Sequence, residues 1–127
     1  MITKKKKELE LEGNVVCGKS HAGKTRKLIE IANFFIKYQN VIFVNNEEYV
    51  QTLREMGLDK RVTVIKHLEK NNLNNLCGNL KNEFPGSLFF IDNINMFVLE
   101  PIKYDKVDSI LNKYKDFYFS IQKPINC

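Results

Sequence analysis

Gly18, Gly23, Lys24 and Thr25 fall in the pattern G-x-x-x-x-G-K-T, a set of residues that can grip a chain of phosphates. The glycines let the backbone turn and approach an anion without a Cβ in the way, so that consecutive amide N–H groups can face one point. A lysine closing such a loop reaches β- and γ-phosphate oxygens, and the threonine hydroxyl beside it can ligate Mg2+. The nucleotide-binding set read from this stretch is Gly18, Ser20, His21, Ala22, Gly23, Lys24, Thr25 and the adjoining Arg26. Ser20, His21 and Ala22 serve through their backbone, and no catalytic role is assigned to His21. Arg26 either lies near the α-phosphate or base or is a solvated helix residue.

Two further residues could complete the chemistry. Ser87-Leu88-Phe89-Phe90-Ile91-Asp92 is a strongly apolar run ending in a carboxylate. In open parallel sheets ligands bind at that end of the strands, where Asp92 could hold Mg2+ or its water opposite Thr25. The plainer reading is a turn, since Asp92-Asn93 is good turn chemistry. Hydrolysis of a γ-phosphate also needs a group that orients or deprotonates water. Asn93 is an amide and cannot be that base, so Glu47, just past the apolar run Val41-Ile42-Phe43-Val44, is the candidate. Its plainer role is a first-turn helix residue favoured by the dipole.

These groups need elements to hold them. Val15-Val16-Cys17 precedes the loop as a short strand, and Leu28, Ile29, Ile31, Ala32, Phe35 and Ile36 follow it at helical spacing, predicting a helix over 24–38. A strand feeding a glycine loop into a helix N-terminus adds the macrodipole to the amides, a context that a chance motif in a lysine-rich chain would lack. Further along, strands are expected at 41–44, 62–65, 87–92 and 117–121. Helices are expected near 49–57, over 68–84 up to Pro85-Gly86, and over 104–114. Continuous apolar strands alternating with helices predict an α/β fold, a mainly parallel sheet of about five strands with crossover helices.

At 127 residues, 43% hydrophobic and 28% charged, the chain suits one domain with one core, assigned to 13–127 behind a basic tail at 1–12. No apolar run approaches a membrane span and no signal peptide is recognisable, so the expectation is a cytoplasmic protein with no membrane partner. Cys17, Cys77 and Cys127 have no C-x-x-C or histidine spacing, which argues against a disulfide framework or zinc. Net charge is +5, which favours polyanion partners; the lysines at 4–7 could touch nucleic acid or be a solvated terminus. The wealth of Asn and Lys suggests an AT-rich genome, such as that of many phages.

The ordered segments VVCGKSHAGKT, VIFVNNEE, LFFIDNINMF and FYFSIQKP resemble the ATPase core of RecA-like P-loop NTPases, especially replicative hexameric helicases. The resemblance implies ATP and Mg2+ as cofactors and the first and third segments as Walker A and Walker B. It places Lys24 and Thr25 at phosphate and metal, Glu47 as the water-activating carboxylate, Asp92 on the metal side, and Gln122 (or Ser120) as a sensor of the γ-phosphate. RecA-like cores continue past the position of Cys127 with further strands, DNA-contacting loops and an inter-subunit arginine. Turnover is therefore expected to need a homo-oligomer or a larger ATPase or helicase partner. Three functions compete: a RecA-like ATPase of DNA replication, recombination or packaging; an ATPase-like interaction protein that regulates a helicase; and a nucleoside or nucleotide kinase, disfavoured because no basic lid follows Asp92.

Overall fold

Apolar runs build a parallel sheet of five strands, most of them buried on both faces and Thr63–Ile65, at the edge, only in part. In the computed structural model, the residues described are 9–19, 22–45, 50–66, 69–100, 102–103 and 111–122. Strands β1 (Leu9–Glu12) and β2 (Val15–Gly18) precede helix α1 (Lys24–Phe35) and strand β3 (Val41–Val44). Helix α2 (Val50–Glu55), strand β4 (Thr63–Ile65) and helix α3 (Leu73–Glu83) follow, then β5 (Leu88–Ile91) and β6 (Phe117–Gln122). Short 3-10 turns occupy Ile94–Met96 and Leu111–Lys113. The sheet order is β1-β2-β6-β5-β3-β4, with β1 antiparallel to β2 and every other pairing parallel.

Alternate residues of each run point to opposite layers. Val15, Cys17, Ile42, Val44, Phe89, Ile91, Phe117, Phe119 and Ile121 pack with Leu76, Cys77 and Leu80 of α3. Val16, Val41, Phe43, Leu88 and Phe90 pack with Leu28, Ile29 and Ala32 of α1 and with Leu53 of α2. On the α1 face, rings in neighbouring strands stack at 6.4 Å (Phe43 and Phe90) and 4.8 Å (Phe90 and Tyr118). On the other face Phe89 stacks on Phe117 at 4.6 Å. These cross-strand pairs follow the register Phe43↔Phe90, Phe90↔Tyr118 and Phe89↔Phe117, so they help to fix it.

Several boundaries differ from the expectation. Leu9–Glu12, expected in the tail, forms the antiparallel edge strand, an apolar–charged alternation overshadowed by the lysines before it. Helix α3 begins at Leu73 rather than 68, because Asn72 takes the extended conformation of an N-cap and its side chain accepts from Asn75 N. Helix α1 ends at Phe35, three residues early, and β4 starts at Thr63. Most of the helix expected over 104–114 lies outside the described residues.

Buried Asn14 pins the C-terminal strand to the start of β2. Its Nδ2 lies 3.1, 2.9 and 2.6 Å from the carbonyl oxygens of Leu111, Tyr114 and Phe117, and its backbone carbonyl accepts from Phe119 N.

Candidate functional site: the carboxyl edge of the sheet

Gly23 is the hinge between loop and helix. It sits at φ 94°, ψ 26°, and an added Cβ would meet nothing within 4 Å, so what the chain requires here is the left-handed conformation rather than space. Its carbonyl accepts the first helical bond, from Lys27 N at 3.0 Å. No acidic residue occupies the first turn of α1, so no carboxylate of the helix itself offsets its N-terminal partial charge. Ala22 N donates to Lys19 O at 3.1 Å, folding the loop back on itself. The Lys24 ammonium arches over the loop and donates to Gly18 O (3.1 Å) and Lys19 O (2.8 Å). Partial burial lowers its pKa, opposed by the nearby Asp92 carboxylate and then by Cys17.

Asp92 collects the ends of three strands. Thr25 Oγ1, at the start of the helix fed by β2, donates to Asp92 Oδ2 at 2.7 Å. Asn45 Nδ2, the residue after β3, donates to the same oxygen at 2.9 Å. Ser120 Oγ of β6 donates to Oδ1 at 2.6 Å. The Ser120 hydroxyl in turn accepts from Asn93 N at 2.6 Å, so its proton is committed to Asp92. Asn93 holds φ 56°, the left-handed region that asparagine tolerates better than most residues, and the chain turns there into Ile94–Met96. Asp92 N continues the β3–β5 ladder by donating to Val44 O. Asn45, Asp92 and Ser120 are all buried.

The structure therefore brings Lys24, Thr25 and Asp92 to one edge, as the sequence suggested. Ser120, the second choice for the sensor, touches Asp92. Gln122 is exposed at the end of β6, level with Gly18. Arg26 is exposed on α1. Ser20, His21, Glu47 and the lysines at 4–7 lie outside the described residues. Asn45 was missed, although it follows an apolar strand just as Asp92 does. Burial in the core pushes the Cys77 thiol up to about 12, which disfavours the thiolate.

The donor set is oxygen throughout: a threonine hydroxyl and a carboxylate. Among the described residues no three of His, Cys, Asp or Glu gather as a metal cluster. Such a site suits a hard cation like Mg2+, which takes one or two protein oxygens and fills its other positions with phosphate and water. A groove of about 590 Å³ lies elsewhere, between α1 and the segment after α2, lined by Phe34, Lys37, Asp59 and neighbours, and none of the residues above faces it. Among the described residues no helix is long and apolar enough to cross a membrane. No family model, curated protein or solved structure matches this chain.

Proposed function

We infer that this chain is an ATP-binding P-loop NTPase of RecA-like type, hydrolysing ATP in the service of DNA replication, recombination or packaging. The observation that carries the reading is the 2.7 Å bond from Thr25 to Asp92, which joins the end of the glycine loop to the one buried carboxylate at the described sheet edge. A threonine that keeps its proton on a carboxylate turns its lone pairs outward, as a cation ligand must. Lys24 would exchange two backbone carbonyls for phosphate oxygens, a charge-assisted bond stronger than the ones it gives up. Mg2+, when bound, supplies positive charge against the phosphates, and Thr25 and Asp92 are the residues to hold it. Ser120 is buried with its proton on Asp92, so Gln122, exposed and level with Gly18, is the better placed of the two to sense a phosphate. Glu47 keeps the water-activating role that the resemblance implies.

A second reading is an ATPase-like protein that binds nucleotide and regulates a helicase. It is favoured by the amides Asn45 and Asn93 flanking Asp92, where general-base chemistry would want a second carboxylate. Binding of Mg·ATP that Lys24→Ala abolishes supports nucleotide binding; undiminished affinity in that variant refutes it. Steady-state turnover with and without single-stranded DNA separates the two readings. Stimulated turnover marks the ATPase, and tight binding without turnover marks the regulator.

A further inference from the structure

Among the described residues Asp92 accepts three hydrogen bonds, and only one of the donors is a candidate metal ligand. A carboxylate offers about four lone-pair sites. Ser120 occupies one on Oδ1, and Thr25 and Asn45 occupy both on Oδ2, which leaves one on Oδ1. Two of the donors hold the carboxylate plane without competing for a cation: Ser120, locked by Asn93 N, and Asn45. Asn45 matters more for Oδ2, because Thr25 would also have to serve a cation with its lone pairs, whereas Asn45 would serve the carboxylate alone.

We propose that Asn45 is a positioning residue, holding the Asp92 carboxylate so that Oδ2 faces Thr25 and one acceptor site stays open to the water shell of a divalent cation. The residue type fits the task. A carboxylate 2.9 Å from Asp92 would repel it, an apolar residue would leave Oδ2 to Thr25 alone, and an amide donates without adding charge. Its place also fits. Asn45 N donates to Ile65 O at 3.1 Å, so the backbone carrying the side chain is tied into β4 as well as β3. Outer partners of this kind set the affinity of the metal they never touch.

The inference rests on the phosphate-loop reading, and the test separates their failures. ATP affinity is measured by calorimetry for the unmutated chain and for Asn45→Ala, in EDTA and across a Mg2+ titration. The expected result is unchanged affinity for metal-free ATP in Asn45→Ala, with the Mg2+ midpoint raised about tenfold. An unshifted midpoint, or an equal loss with and without Mg2+, overturns the inference while the loop reading stands. Failure of the unmutated chain to bind ATP overturns both. Should Asn45→Ala not fold, the side-chain amide resonance of Asn45 in the ATP-saturated unmutated chain decides. It shifts when Mg2+ is added and not with matching sodium; an unmoved resonance overturns the proposal.

Discussion

Replacing Ser120 with alanine removes one hydroxyl and strands two groups. Ser120 is fully buried, accepts from Asn93 N at 2.6 Å and donates to Asp92 Oδ1 at 2.6 Å. Losing a hydrogen bond to a charged acceptor costs about 1.5–3 kcal/mol. The Asn93 amide adds about 1 kcal/mol or less, because Asn93 is only half-buried and water can reach it in part. Alanine leaves little void, so the cavity contribution is small, and the total is about 2–4 kcal/mol. For a domain of this size that corresponds to a fall in Tm of roughly 6–20 °C. Thermal unfolding followed by circular dichroism, without nucleotide or metal, is the assay. Thr25→Ala is the control: it deletes a donor to the same carboxylate at a half-buried position where water can substitute, and about 1 kcal/mol is expected. A Ser120→Ala shift no larger than that of Thr25→Ala refutes the view that the β5–β6 link at Asp92 is a buried, committed hydrogen-bond chain.

Asn14→Asp should destabilise the chain far more than Asn14→Ala, by urea titration, since a carboxylate would face the carbonyls of Leu111, Tyr114 and Phe117. The alanine variant should cost about 1–3 kcal/mol. Arg61 donates to Asp59 from its side chain and its backbone N–H and holds its carboxyl down to about 2, below the ordinary 3.8. The stabilisation is thus present above 3.8 and lost as pH falls toward about 2, so the difference in Tm between the unmutated chain and Asp59→Asn should shrink across that window. Burial lowers the Lys24 pKa, and bound phosphates would raise it again. ATP binding at alkaline pH should therefore take up protons, seen as a calorimetric heat that varies with the ionisation enthalpy of the buffer.

The sheet was legible because its central strands are buried on both faces. Val41–Val44 and Leu88–Ile91 read as unbroken apolar runs, and a residue such as Asp92 at the end of one must lie at the carboxyl edge. The juxtaposition of Thr25 with Asp92 followed from that. Strand order did not, because periodicity carries no information on pairing partners. Nothing local says that β6 inserts between β2 and β5, and without that placement the bond from Ser120 to Asp92 could not be foreseen. Asn45 was passed over because an asparagine after a strand reads as turn chemistry until the neighbouring strand supplies its acceptor. The start of α3 shows the same limit: apolar spacing continued upstream, and only the capping bond from Asn75 to Asn72 marks the true first turn.

The antiparallel strip at Leu9–Glu12 has a mechanical consequence. It turns β2 from a border into an interior member of the sheet, bonded to β1 on one side and β6 on the other. A segment clamped along both flanks cannot lean when the loop it feeds changes shape. At the other end Gly23 holds a backbone angle that other residues rarely adopt. The stretch from Gly18 into α1 thus starts from a fixed anvil, a strand bonded on both sides.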